Sequence, residues 1–334
     1  MKAAVLTGYD KKGRDLEIRD VPVPEMKEND VLVKISCAGV NPLDNMIPKG
    51  EVKLIVPYRF PLIMGNEFVG VIEKVGKKVS QFQPGDRVYG RMELHRIGAF
   101  AEYAAIDQGA IAKVPPYLTD EEAACVPLTA LTAMQALSLM NPKEGESIFI
   151  SGGTGSLGAM AIPVAKSYGL MVITSGNGAS EERVRRLGAD RFIDYKKEDY
   201  GKVLSGVDYV LDTLGDRELE KEFGILKEGG SLVSLRGLPN GEFAARMGMP
   251  MVKRLLFRVA GRKYDQMAAR KGQKYYFLFV KEDGASLARI SEIFGKDHLE
   301  ASVDSVYALE EVNEALHKVA AGGSKGKTIL RISR

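Results

Sequence analysis

The sequence predicts an α/β protein in two parts, a doubly wound parallel sheet with helices on both faces and a mostly antiparallel, barrel-like β domain. Three observations predict it. Short β-branched or aromatic runs broken by turn residues fill the first 120 residues. Strand-like and helix-like runs alternate from Thr119 onward, the pattern of a parallel sheet covered by helices. A glycine-rich turn stands between the first strand and helix of that alternation. At 334 residues the chain is long enough for two domains, each with its own core.

In the first part, Val31–Ser36, Phe68–Val75 and Arg87–Tyr89 read as strands bounded by Gly, Pro, Asn or Asp. Pro84-Gly85-Asp86 is a turn, because Pro presets φ and Gly admits positive φ before the next strand. Thr119, with Glu122 three residues later, is a helix start of the capping-box kind. Then come strand Ser147–Ser151, helix Leu157–Tyr168, strand Met171–Ser175, helix Glu181–Leu187 and strand Arg191–Asp194. Val207–Asp212 and Gly230–Leu235 continue the series as short apolar runs after turns. The expected division is 1–120 for the first domain, 121–265 for the parallel-sheet domain and 266–334 for a segment returning to the first. In that return, Tyr275–Val280 reads as a strand, and Ser286–Phe294 and Leu309–Ala321 as helices.

Gly153-Thr154-Gly155-Ser156-Leu157-Gly158 follows the strand and opens the helix. The order has a physical reason. The first Gly makes the tight turn, the second lets a pyrophosphate approach the backbone, and the third packs helix on strand. The helix start adds free N–H groups and the positive end of a dipole. An NAD site usually carries Asp or Glu about 20 residues on, to bond the ribose 2′-OH. Here the second strand ends Ser175-Gly-Asn177, with no acid before Glu181. Ser175 and Asn177 can bond a 2′-phosphate without repelling it, Arg183 or Arg186 can add charge, and Tyr195 lies just past the third strand. NADP(H) is the expected cofactor.

Composition narrows the class. A formal charge of +3 gives no general argument for nucleic acid, and none is expected as a partner. Cys37 and Cys125 are too far apart in context for a disulfide framework, which suits a reducing cytoplasm. No run looks like a signal peptide, and none approaches the ~20 apolar residues of a bilayer span. Cytoplasmic location, with possible peripheral contact at a membrane, is the expectation.

The chain resembles the medium-chain dehydrogenase/reductases, in particular the zinc-free quinone oxidoreductase branch that includes ζ-crystallin. The resemblance runs end to end. It is carried by Ala38-Gly-Val-Asn41-Pro-Leu-Asp44, Met64-Gly-Asn-Glu67, Gln83-Pro-Gly-Asp-Arg-Val-Tyr and Pro127-Leu-Thr129-Ala-Leu-Thr-Ala. The glycine turn, Leu187-Gly-Ala-Asp and Asp212-Thr-Leu-Gly215 complete it. It implies a Rossmann-type domain and a GroES-like catalytic domain closed by the C-terminal segment, with the active site in the cleft between them and a homodimer as the expected assembly. It also implies a quinone or an α,β-unsaturated carbonyl as hydride acceptor.

The zinc-binding relatives place Cys where this chain has Asn41 and His where it has Asn66. Zinc needs thiolate, imidazole or carboxylate ligands, so no metal is expected. His95, His298 and His317 are scattered, and only a short loop joins Tyr89 to Phe100, so the four-cysteine structural lobe is absent. Without a Lewis acid the substrate must accept hydride readily at carbon. By match to the motif, Asn41 is the expected polar contact to substrate or nicotinamide ribose; capping of the turn before Pro42 is the alternative. Thr129, Leu214, Gly215 and Leu235 are assigned to the cofactor side, the Thr129 hydroxyl alternatively bonding within its own helix. Phe277 and Phe279, alternate residues of one strand, either wall the nicotinamide or belong to the core. Tyr58, beside Arg59 on the loop Lys49–Pro61, is a candidate to protonate or orient the substrate, or else a surface aromatic. Cys125 reads as buried packing.

Between Pro250 and Lys274 eight Lys or Arg face Asp265 alone, and Met251, Val252, Leu255, Leu256 and Val259 recur at helical spacing. A cover over the cleft, a dimer wall and a patch resting on anionic lipid all fit that pattern. Two other functions compete with the reductase. A zinc-type alcohol dehydrogenase is opposed by Asn41 and Asn66. A catalytically silent nucleotide- or RNA-binding protein would need a basic surface wider than 253–274.

Overall fold

The computed structural model describes residues 1–299 and 301–333, which form two units: residues 1–131 with 281–334, and residues 132–280. The chain opens with β1 (Lys2–Leu6), β2 (Glu17–Asp20), the long β3 (Asp30–Val40), a single-turn α1 (Pro42–Met46) and β4 (Leu62–Ile63). β5 (Glu67–Val75), β6 (Arg87–Arg91), β7 (Tyr103–Asp107) and β8 (Ile111–Lys113) follow. All the pairings among these strands are antiparallel, with β3 flanked by β5 and β7. β3 is almost wholly buried, so both faces of this central strand are covered.

The expected capping box is present. Thr119 accepts from the N–H of Glu122 at the start of α2 (Asp120–Ala123), and the Glu122 carboxylate accepts from the Thr119 N–H. Helix α3 (Pro127–Met140) follows. The stretch Asp120–Met140 is long and apolar enough to cross a bilayer, contrary to the expectation that no run qualifies, but 78% of its apolar 18-residue window is buried inside the protein. It is a core segment.

The second unit alternates as expected. β9 (Ser147–Ile150), α4 (Ser156–Ser167), β10 (Met171–Gly176), α5 (Glu181–Arg186) and β11 (Arg191–Asp194) lead to the short α6 (Tyr200–Val203). β12 (Val207–Asp212), α7 (Asp216–Ile225) and β13 (Leu226–Ser234) follow. Three helices, α8 (Gly241–Arg246), α9 (Met251–Ala260) and α10 (Arg262–Ala269), precede β14 (Lys274–Phe277). Its sheet runs β11-β10-β9-β12-β13-β14 with every pairing parallel. That is the doubly wound order, reversing direction between β9 and β12. Phe149, Val172, Val210 and Leu232 are fully buried in it, each such side chain contributing about 1.5–3 kcal/mol.

Two boundaries are corrected, the first being the end of the first stretch, which lies at Leu131 rather than 120. The stretch around Tyr275 was expected in the return segment, but β14 pairs with β13 from Lys274 to Phe277 and is the sixth strand of the parallel sheet. The return begins at Lys281 rather than 266. Helices α8 to α10 intervene between β13 and β14, so the last strand of the sheet stands far from its neighbour in sequence. From Lys281 the chain forms α11 (Gly284–Asp297), β15 (Val303–Ala308), α12 (Val312–Ala321) and β16 (Lys327–Arg331). β16 pairs antiparallel with β3 and parallel with β15, extending the larger of the first unit's two sheets.

Candidate functional site

The glycine turn sits at the C-terminal end of β9, beside the switch point where such sheets bind nucleotides. The left-handed turn falls on Gly152 (φ +68°), one residue before the motif, and not on Gly153. Gly153 is required for space, since a Cβ there would overlap the Thr174 side chain of β10. A Cβ on Gly158 would likewise overlap Gly153, so the third glycine seats α4 against the turn. Gly155, the N-cap of α4, is different: its Cβ would meet nothing nearer than the Gly152 carbonyl at 3.4 Å. That is the open side of the cradle, where Ser156 and Leu157 begin the helix and first-turn N–H groups lack helical partners. The residues therefore fit a pyrophosphate.

Arg183 of α5 donates from Nη2 to the Thr154 carbonyl at 2.6 Å, so its guanidinium lies against this turn. Burial lowers its pKa. Ser175, 4% exposed, ends β10 and accepts the Gly153 N–H at its carbonyl. Asn177 accepts the Ala179 N–H and caps a short 3₁₀ turn, so its oxygen is partly engaged. Tyr195 is exposed, its N–H donating to the Gly176 carbonyl. Asp194, overlooked in the sequence, pairs in register with Gly176; Lys197 lies 3.7 Å from its carboxylate.

Beyond β12, Asp212 accepts the N–H groups of Leu214 and Gly215 at 2.8 Å each. Gly215 takes φ +91°, a region that favours glycine. Leu214 is half exposed, and Leu235 donates its N–H to the Asp212 carbonyl. Phe277 does not fit a cofactor wall, because it packs edge-on against buried Phe243 at 5.0 Å and belongs to the core. Phe279 is also buried, at 9% exposure.

The first unit holds a buried polar network that sequence reasoning reached only in part. Asn41 Nδ2 donates to Glu67 Oε1 at 2.7 Å and to the Gly39 carbonyl at 3.3 Å, while Oδ1 accepts from Lys327 Nζ at 2.6 Å. Lys327 also lies 2.6 Å from Glu67 Oε1. The second Glu67 oxygen accepts the Leu128 N–H. Asp44 accepts from Asn66 Nδ2 at 2.7 Å and from the Asn41 N–H at 2.8 Å. All five side chains are at most 2% exposed. Burial pushes the Asp44 carboxyl up to about 6, against the pull of those two N–H bonds.

Two assignments are corrected here. Both Asn41 amide hydrogens are engaged, so Asn41 cannot donate to a substrate oxygen in this arrangement; only an acceptor lone pair on Oδ1 remains. Tyr58 is buried, and its hydroxyl donates to the Leu94 carbonyl at 3.0 Å, so it is not a proton source. Burial raises its pKa to about 12. The Thr129 hydroxyl donates back to the Cys125 carbonyl, and so can only accept from a ligand. Cys37 and Cys125 are each 2% exposed. Burial pushes the Cys37 thiol up to about 12 and Cys125 in the same direction. Arg91 is fully buried, donates to the Met92 carbonyl, and has no protein acceptor for Nε or Nη2.

This arrangement does not fit zinc. Asn41 and Asn66 offer neither thiolate nor imidazole, and the Lys327 ammonium stands against Glu67 where a metal would have to draw on that carboxylate. Among the described residues no group of three His, Cys, Asp or Glu gathers around one point.

The chain belongs to the medium-chain dehydrogenase/reductase superfamily and is an oxidoreductase of that family. Residues 27–116 match the alcohol dehydrogenase GroES-like domain, and residues 187–330 match the zinc-binding dehydrogenase domain. It is similar to the 2-methylene-furan-3-one reductase of Solanum lycopersicum, 34% identical over 249 residues. That match covers 71% of this chain and 63% of the tomato protein, so it spans less than two thirds of that relative's length. Similarity to the human quinone oxidoreductase, 28% over 326 residues, covers 93% of this chain and 92% of that one. Among solved structures, the quinone oxidoreductase of Thermus thermophilus, solved also in complex with NADPH, aligns with a TM-score of 0.75. Its identity is 26%, covering 99% of this chain and 100% of that one.

Proposed function

We propose that this chain is an NADPH-dependent reductase that delivers hydride to a quinone or to the activated C=C of an α,β-unsaturated carbonyl, without zinc. The observation that carries the reading is Lys327 held between Glu67 and Asn41. A fixed ammonium at that carboxylate supplies the positive charge that a metal would otherwise bring, so the chemistry runs without a Lewis acid on the substrate oxygen. Conjugated acceptors suit such a site, because hydride addition at carbon needs no strong polarisation of a simple carbonyl. NADPH, when bound, supplies the hydride. The glycine cradle and the start of α4 hold its pyrophosphate, and Arg183 with Ser175 and Asn177 receives the 2′-phosphate. The names of the tomato and human relatives support the acceptor class, and the NADPH complex of the Thermus enzyme supports the cofactor.

The test is NADPH consumption against a panel of quinones, enals, enones and nitroalkenes, before and after exhaustive chelation, with metal analysis of the purified protein. Turnover of a quinone or enone that survives chelation is the expected result. No turnover of this panel, with stoichiometric zinc in the purified protein and oxidation of simple alcohols by NADP⁺ or NAD⁺, would replace this reading with a zinc-type alcohol dehydrogenase.

A further inference from the structure

Helix α9 carries a surface that the proposed activity does not use. Among the described residues the four most exposed large apolar side chains all belong to it: Val252 (82%), Met251 (74%), Val259 (67%) and Leu255 (63%). Leu256 is also exposed. At ~100° per residue these five fall within an arc of roughly 140° on one side of the helix. The other side is fastened down. Phe257 is 4% exposed and meets Phe243 edge-on at 6.1 Å, and Arg254 Nε donates to the Met249 carbonyl at 2.7 Å. The apolar face is therefore presented outward by an anchored helix.

Charge selects the occupant. α9 contains no acid, and Arg258, Arg262 and Lys263 are exposed beside the apolar arc or just past its end. Asp265, the one acid between Pro250 and Lys274, accepts from Asn240 Nδ2 at 2.7 Å. In a second copy docked on this face about a two-fold axis, α9 would bring no acid to stand opposite these cations. A surface that combines negative headgroups with an apolar interior matches both features. We propose that α9 docks the protein on an anionic lipid surface, with Met251, Val252, Leu255, Leu256 and Val259 entering the headgroup–acyl boundary and Arg258, Arg262 and Lys263 pairing with lipid phosphates or carboxylates. The inference stands independently of the proposed reaction. Its consequence for the chain is access to substrates dissolved in the membrane rather than in water.

The test is flotation of the full chain with phosphatidylcholine vesicles, plain or containing about 30 mol% phosphatidylserine, at low and high salt. The wild-type protein is expected to float with the anionic vesicles at low salt, to be released by salt, and to ignore the plain ones. Leu255→Glu with Val259→Glu should lower the bound fraction at least about tenfold while the melting temperature stays unchanged, since both side chains are already in solvent. Arg258→Glu with Lys263→Glu should lower binding and flatten its salt dependence. No flotation of the wild type at low salt, or equal flotation of the Leu255/Val259 variant, overturns the proposal. So does a wild-type oligomer that this variant converts to monomer without any vesicle binding, because the face then belongs to a second copy.

Discussion

Lys327 Nζ and Glu67 Oε1 lie 2.6 Å apart with neither side chain more than 2% exposed, and Asn41 bridges them from the same side of the network. Removing one member of such a pair leaves an uncompensated buried charge, at a cost of about 3–5 kcal/mol. Lys327→Met should therefore lower unfolding stability by that order, and Glu67→Gln added to it should recover a large part. Denaturant unfolding of the two variants checks this. Equal losses in the single and double variants would mean that the pair is not coupled.

Asn41 belongs to the same unit. Its replacement by Ala withdraws two donated bonds and the acceptor for Lys327, so a loss of about 1–3 kcal/mol in stability is expected. From the sequence, a catalytic Asn41 should have left stability alone. A melting temperature unchanged by Asn41→Ala, with kcat lowered, would restore the catalytic assignment.

Asp44 makes stability depend on pH. Its carboxyl is raised in the folded protein to about 6, above the ordinary 3.8, so between those values the folded state binds the extra proton. The contribution of Asp44 to stability is fully present below that window and is lost as pH rises through it, opposite in sign to carboxyls held low, such as Asp30 and Asp208. Thermal melts of the wild type and Asp44→Asn across this range should differ by a pH-dependent amount, the wild type losing its relative stability as pH rises; a difference independent of pH would remove Asp44 from the linkage.

The glycines of the cofactor turn separate by function. Gly158→Ala sets a Cβ into Gly153 and should lower the melting temperature with or without cofactor. Gly155→Ala meets only the Gly152 carbonyl at 3.4 Å and should fold normally, yet fill the space a pyrophosphate needs and weaken NADPH binding at least about tenfold. Calorimetry with NADPH distinguishes the two. Arg183→Ala should raise the KM for NADPH about tenfold and leave that for NADH nearly unchanged.

Tyr58→Phe removes a hydroxyl that is bonded to the Leu94 carbonyl. A loss of about 1 kcal/mol in stability with kcat unchanged is expected. A large fall in kcat would return Tyr58 to the reaction.

The alternation of strands and helices and the glycine spacing are readable because each is a local pattern, set by periods of 2 and 3.6 and by the space a pyrophosphate needs. Finer points of the same turn are not. The residue at positive φ is Gly152, and adjacent glycines look alike until the backbone is traced. Lys327 escapes notice for a different reason. Its partner Asn41 is 286 positions away in the chain, and a lysine near a C-terminus carries no mark of burial. Asn41, Tyr58 and Thr129 stand out by position in a motif or loop, which locates a residue but does not say where its hydrogens point. β14 falls to the wrong unit in the sequence because strand pairing, not composition, decides membership of a sheet.

Both cysteines are buried in the first unit, with their thiols held well toward the protonated form. An unsaturated carbonyl is a soft electrophile, and the nucleophile it meets fastest in most proteins is a thiolate. On the proposed activity this chain would handle such compounds at every turnover. With Cys37 and Cys125 buried and un-ionised, a substrate that lingers meets no thiolate, and alkylation of the folded protein is slowed. Intact-mass measurement after long exposure of the native protein to an enal, without NADPH, should accordingly find no cysteine adduct, whereas the unfolded chain should take up two.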